Sequence, residues 1–285
     1  MTARDITNGD VTLATECFGD PSDPAVVLVM GATASMLWWP EPLVRAIAGD
    51  GFFVIRYDNR DTGRSTRWPP GQIGYTVEDM AGDLLAVMDG YGLGAAHVAG
   101  MSLGGLIAQV AALTAPERVL SLSLIGAEPL GWTGPELPGI TPEFMAHFET
   151  FAEIDWSDPA SVADFMLDGA RLSAGSGGFD ETAERRRIEA EIARSGDMRS
   201  AFNHGMLTLR ADWSDCLDRL DQPVLILHGA DDPIAPRENL DAFAESLPHV
   251  RIVVLEGVGH ELPDRALATL AEQVTGFVRE VHGAI

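Results

Sequence analysis

His97-Val98-Ala99-Gly100-Met101-Ser102-Leu103-Gly104-Gly105 sets a serine between an apolar run and the start of a helical pattern. The apolar run ending at Ala99 predicts a strand, Leu103 to Ala115 predicts a helix, and Ser102 stands at their junction in the pattern G-x-S-x-G. A serine on so sharp a turn needs a strained backbone, and only small neighbours such as Gly100 and Gly104 leave room for it. Its hydroxyl then stands clear of the sheet, while the helix behind it presents free N–H groups and a positive dipole end to an oxyanion. Ser102 is therefore the candidate nucleophile and the Leu103 amide one candidate oxyanion donor. A second donor is expected from the turn Gly31-Ala32-Thr33, at the Ala32 amide, where a glycine lets the backbone approach the substrate.

Working outward, Ala3 to Thr7 and Val11 to Phe18 read as a hairpin around Asn8-Gly9. Short apolar runs then recur at Ala25 to Met30, Phe52 to Tyr57, Ala95 to Ala99, Val119 to Ile125, Val224 to Leu227 and Val250 to Leu255, as expected of strands buried on both faces. Helical patterns at Pro42 to Ala48, Val77 to Gly90, Leu103 to Ala115, Arg237 to Ser246 and Asp264 to Val281 alternate with them. The fold class is therefore α/β, a mostly parallel sheet flanked by helices. One gap breaks the alternation. Residues 1–127 and 217–285 form the expected core, and 128–216 an inserted helical cap. In the insertion Phe144, Phe148 and Phe151 recur at helical spacing, and Met198, Phe202 and Met206 at steps of four. Ser173 to Gly178 reads as a flexible loop by composition, and Glu184 to Arg187 as a solvated helix face.

A serine needs a base, and seven histidines compete. His260, in Gly257-Val258-Gly259-His260, follows the last strand and can reach the sheet's carboxyl edge. His228 ends an apolar strand and reads as a core histidine; His97, His249 and His282 point elsewhere, and His147 and His204 at most line a pocket. The strand end Leu227-His228-Gly229-Ala230-Asp231-Asp232-Pro233 offers two carboxylates to orient the histidine. Consecutive residues leaving a strand point apart, and Pro233 biases Asp232 toward extended backbone, which favours Asp232. The chain order is Ser…Asp…His.

Composition prunes the alternatives. With 43 acidic against 19 basic residues and a net charge of −24, the surface repels nucleic acid and anionic lipid. All the basic residues are arginine, so Schiff-base chemistry, a P-loop lysine and a Ser-Lys dyad are excluded. Cys17 and Cys216 lie far apart, outside any metal or disulfide pattern. No run reaches the roughly 18 apolar residues of a membrane helix, and Met1 to Asp10 carries no leader pattern, so a cytoplasmic protein with no membrane partner is expected.

At these residues the chain resembles the α/β-hydrolase superfamily over essentially its whole length, and more closely the aclacinomycin methylesterase branch, which acts on anthracycline methyl esters. Val29-Met30-Gly31 with Trp39-Pro40, the segment Ile55 to Ser65 and Asp232-Pro233-Ile234-Ala235-Pro236 carry that similarity. Met30-Gly31 stands where many members have His-Gly, and Arg60-Asp61 where many have Arg-Gly; the turn Asp58 to Ser65 is read as structural. The resemblance implies a triad of Ser102, Asp232 and His260, with oxyanion donors at Ala32 and Leu103. The expected activity is that of a carboxylic ester hydrolase on a small-molecule ester, without metal or organic cofactor. Trp38 and Trp39 are expected to form a flat wall and Phe144, Phe148, Phe202 and Met206 to line the pocket, since the insertion's apolar side chains are too many for short helices to bury only among themselves. They favour a bulky, apolar, polyketide-type aromatic methyl ester. A carbon–carbon bond hydrolase, lactonase, thioesterase or perhydrolase would use the same triad, and a ligand-binding protein of this fold is the non-enzymatic rival.

Overall fold

The computed structural model describes residues 1–284. In chain order its elements are β1 (Thr2–Asn8), β2 (Val11–Phe18), β3 (Ala25–Val29), α1 (Glu41–Gly49), β4 (Phe53–Tyr57), α2 (Val77–Gly90), β5 (Ala96–Met101), α3 (Leu103–Thr114) and β6 (Val119–Ile125). There follow α4 (Pro142–Glu149), α5 (Pro159–Ser173), α6 (Glu181–Ser195), β7 (Val224–Gly229), α7 (Asn239–Ser246), β8 (Arg251–Leu255) and α8 (Leu267–His282). All eight strands join one sheet in the order β1-β2-β4-β3-β5-β6-β7-β8. The pairs β1–β2 and β2–β4 are antiparallel; those from β4 across to β8 are parallel.

Alternation along each strand divides the core into two layers. Val27, Val98 and Ile226 face α2, α3 and α7 through Leu84, Met88, Ile107, Val110 and Phe243. Their chain neighbours Val26, Leu28, Ala99, Leu225 and Leu227 face α1 and α8 through Leu43, Ile47, Leu270, Val274 and Phe277. The central strands are apolar throughout because both faces are covered, whereas edge strand β8 is only half buried. The hairpin turn lies one residue later than Asn8-Gly9 suggests. Asn8 pairs with Val11, so Gly9 and Asp10 form the loop, with glycine at its first position and φ 57°.

The chain between β6 and β7 holds α4, α5, α6 and a 3-10 stretch, Arg199–Met206. Thr141, Asp158 and Asp180 cap the three helices, each accepting an N–H of the first turn. A small cluster of Ala163, Leu167 and Ile188, packed with Trp38, is the shared interior of α5 and α6. The segment is tied to the core through buried charge. Arg194 pairs with Asp58 at 2.6 Å, and Glu191, fully buried, accepts from Ser35 and from Ser195. Burial, reinforced by the Asp58 charge, raises the Glu191 carboxyl above its usual range despite the two hydroxyl donors and Arg194.

A carboxyl raised in the folded state costs stability once pH climbs above its unfolded value of about 4.3, and the cost grows until pH passes the folded value. Glu191→Gln removes that cost. Its melting temperature, relative to the parent, is expected to rise between pH 4.5 and pH 8, at about 2 to 4 °C per kcal/mol relieved. Thermal denaturation at the two pH values checks this, and a pH-independent difference would show that Glu191 is not the titrating group.

Candidate active site

Ser102 joins β5 to α3 with φ 51° and ψ −121°, a conformation that costs a non-glycine residue on the order of 1–3 kcal/mol. Its surroundings force the turn. A Cβ on Gly100 would come within 2.3 Å of the Gly104 carbonyl oxygen, and one on Gly104 within 2.1 Å of the Val29 oxygen. A Cβ on Gly31 would lie 3.1 Å from that of Ser102, so the turn after β3 sits directly against the serine. Among the described residues no acceptor takes the Leu103 or the Ala32 N–H. Ala32 is exposed, and both amides can serve an oxyanion.

The strand ends behind Ser102 are knitted together. Ser102 donates its N–H to Ile125, and Gly126 donates to Leu227. A Cβ on Gly126 would lie 3.2 Å from both Asp232 Oδ2 and His260 Nδ1, so the carboxylate–imidazole pair stands at the same sheet edge. Its polarity is determined by its partners. Asp232 Oδ1 accepts the N–H groups of Ile234 and Ala235 at 2.8 Å each, leaving Oδ2 for His260 Nδ1 at 2.8 Å. Burial works to raise the Asp232 carboxyl, but the His260 charge and bond and the two amides outweigh it and hold it below its usual range. The carboxylate only accepts, so Nδ1 carries the proton and the Nε2 lone pair is free to act as a base. Ser102 Oγ is not hydrogen-bonded to this ring; such contacts often tighten only when substrate is bound. Asp231, the rival carboxylate, is exposed and accepts from the Ser176 N–H and hydroxyl.

Ser173 to Gly178 departs from its reading as a flexible loop. The Ser173 carbonyl accepts the His260 N–H at 2.8 Å, Gly175 donates to Glu261, Gly177 donates to Gly257, and Ser176 holds Asp231. A Cβ on Gly175 would meet the Gly257 oxygen at 2.3 Å, so its glycine serves close approach, not mobility. Glu184 and Arg187 also depart from a solvated face. They pair in a half-buried position, with Arg187 5.5 Å over Trp38.

The two tryptophans of the expected aromatic wall lie in different surroundings. Trp38 is half buried between the core and the insertion, but Trp39 is 1% exposed, packed in the α1 and α8 layer and unable to face a substrate. Phe202 packs against Phe151, Trp156 and Phe165 with centroids 4.8 to 5.9 Å apart, so these rings cover one another in part: Phe165 is buried and the other three are half-buried. Phe144 is buried against Phe148, which with Met206 is exposed. The Met198, Phe202 and Met206 spacing implies an α-helix, but residues Arg199–Met206 wind as a 3-10 stretch whose buried residues fall at steps of three, Ser200 with Asn203 and Ala201 with His204, while Phe202 is half-buried and Met206 exposed.

That last histidine was underrated. His204 Nδ1 accepts the Thr33 N–H at 3.0 Å and Nε2 donates to the Arg60 carbonyl at 2.8 Å. The other histidines lie apart from the serine's turn: His228 donates to Ala235 from within β7, His97 is held by Ser121 with burial lowering it to about 4, and His147 stacks on Phe165. The Asp58 to Ser65 turn is structural, as read. Asn59 donates to the Met30 carbonyl and Asp58 accepts the Met36 N–H, so it grips both ends of the Ala32 turn.

A family model described as alpha/beta hydrolase fold matches residues 24–190 and 194–265. The chain is 34% identical over 296 residues to the rhodomycin D methylesterase DnrP of Streptomyces peucetius, covering 98% of this chain and 99% of that one. Among solved structures, the esterase RhEst1 of Rhodococcus sp. ECU1013 superposes with a TM-score of 0.79 at 22% identity, over 99% of this chain and 100% of that one. The meta-cleavage product hydrolase CumD of Pseudomonas fluorescens IP01 does so at 0.76 and 22%, over 97% of each. Sheet order, elbow and family match agree, and the chain belongs to the α/β-hydrolase family.

Proposed function

We propose that the chain is a serine esterase in which Ser102 is the nucleophile, His260 the general base and Asp232 the carboxylate that orients it. The observation that carries the reading is the 2.8 Å bond from His260 Nδ1 to Asp232 Oδ2 at the sheet edge where the strained Ser102 emerges. The full-length similarity to a methylesterase supports ester hydrolysis, and the substrate in this reading is a methyl ester of a bulky, apolar, aromatic polyketide-type acid. Residues 128–216 act as a cap over the site, with Trp38 as the flat surface beneath them.

In the first half-reaction the Ser102 hydroxyl proton passes to His260 Nε2 as Oγ bonds the ester carbon, and the carbonyl electrons move to an oxyanion held by the Ala32 and Leu103 amides. The oxyanion collapses, the ester C–O bond breaks, and the His260 proton leaves with the alcohol. Water then repeats the sequence on the acyl-serine, giving the acid and free enzyme. The Asp232 charge stabilises the imidazolium in both halves. A net charge of −24 disfavours anionic acyl groups and helps expel the carboxylate product.

Ser102→Ala is expected to lower ester turnover by about 10⁶ without unfolding the protein, and a fluorophosphonate is expected to label Ser102 alone. Mass-spectrometric mapping of the labelled peptide decides; a label on another serine removes Ser102 from the role. Asp232→Asn is expected to cost about 10⁴ in rate through the lost imidazolium stabilisation and wrong tautomer. Asp231→Asn, which alters only two exposed bonds from Ser176, is expected to cost less than about tenfold, and the opposite ranking in steady-state kinetics would move the role to Asp231. Substrate class is tested by kcat/KM for an aromatic polyketide methyl ester against a short acyl ester, with thioester and lactone probes alongside. Preference for the short ester, or for either other bond type, would overturn the assignment.

A further inference from the structure

We infer that His204, contributed by the inserted segment, is a positioning residue for the oxyanion turn. The inference rests on the reading of Ser102 as nucleophile and Ala32 as donor. The Ala32 N–H belongs to the peptide plane between Gly31 and Ala32, and its aim depends on the planes before and after it. The plane before is held by Asn59, whose Nδ2 donates to the Met30 carbonyl at 2.8 Å. Among the described residues, the plane that carries the Thr33 N–H is held only by His204 Nδ1, at 3.0 Å. Thr33 needs that hold, because it is β-branched and sits at φ 63°, where such a residue does not settle unaided.

The partners of His204 determine its tautomer. A carbonyl can only accept, so the bond to Arg60 puts the proton on Nε2; an amide N–H can only donate, so Nδ1 is the acceptor for Thr33. The ring is 5% exposed, and burial lowers its basicity, which keeps it neutral and able to accept. It spans from the Ala32 turn to the Asp58–Ser65 turn, whose Asn59 holds Met30. The planes on both sides of the Ala32 amide are thus fixed to one rigid support.

The two bonds are separable by substitution. In His204→Asn the amide oxygen takes the place of Nδ1 and keeps the acceptor for Thr33; in His204→Gln the amide nitrogen takes the place of Nε2 and keeps only the donor to Arg60. With an activated aryl ester as probe, His204→Gln is expected to lower kcat by about 10² with KM within about twofold, the signature of a lost oxyanion donor. Phosphonylation of Ser102 by a fluorophosphonate is expected to slow in parallel. His204→Asn is expected to recover kcat to within about fivefold of the parent. Assays run well below each variant's melting temperature, so that the Asn to Gln comparison reads the hydrogen bonds and not folding. Equal losses in Asn and Gln, an effect confined to KM, or no loss in Gln would overturn the proposal. If Ser102→Ala kept full turnover, the nucleophile assignment itself would fail; a dead Ser102→Ala beside an unimpaired His204→Gln would refute His204 alone.

Discussion

A single backbone constraint organises the molecule: Ser102 must be held at positive φ between a buried strand and a buried helix. Nothing larger than glycine fits at 100 or 104, and the packing that forbids a side chain there also brings β3, β5 and α3 within van der Waals distance. The strain is sustained because the elbow is clamped on every side, by the Ser102 N–H bond to Ile125, by the first turn of α3 and by Gly31. The same clamp leaves the Leu103 amide without an acceptor. The elbow is thus one steric solution with two chemical consequences, a hydroxyl at the sheet edge and an oriented N–H beside it.

The second support is the turn from Asp58 to Ser65, which collects charges that would be costly if unpaired. Asp58 is completely buried against Arg194 and two amides, Arg60 is paired with Asp83, and Asp61 accepts from Tyr75, Trp68 and Asn203. Removing one member of such a network leaves a buried charge without its partner, which costs more than the pair is worth when whole. Two of these partners, Arg194 and Asn203, come from the inserted segment, so the segment and the core are stabilised by a shared network rather than by apolar contact alone.

The strands and helices of the core were legible because burial on both faces writes itself as short apolar runs, and the elbow because glycine is the only residue its geometry admits. Asp232 was legible through Pro233, whose restriction on the preceding residue accompanies the turn in which Oδ1 takes two amides. Other features were hidden for physical reasons. Glycines in Ser173–Gly178 looked like freedom, but composition does not distinguish a loop that moves from one pressed against the His260 segment. Trp38 and Trp39 are indistinguishable by type, yet at the end of the 3-10 turn Met36–Trp38 one lies between the core and the inserted segment and the other in the core. His204 was missed because a spacing of four suits an α-helix, and the stretch winds with a period of three.

The inserted segment touches both halves of the candidate machinery. Its α5 end and the loop after it hold the backbone of His260 and the side chains of Asp231 and Glu261, while α6 and the 3-10 stretch reach Ser35 and Thr33 on the turn that carries Ala32. Within it the rings of Phe151, Trp156, Phe165 and Phe202 pack on one another, Phe165 buried and the other three half-buried. A segment built in this way transmits displacement. Repacking those rings to admit a different substrate would shift α5 and the 3-10 stretch, and through them the histidine loop and the oxyanion turn. Errors of about 1 Å at either place cost on the order of 10² in rate. In the reading proposed above specificity and rate are therefore mechanically coupled: the exposed faces of Phe148 and Met206 lie clear of those braces, whereas Trp38 packs into the α5 and α6 interior and would carry a change to them.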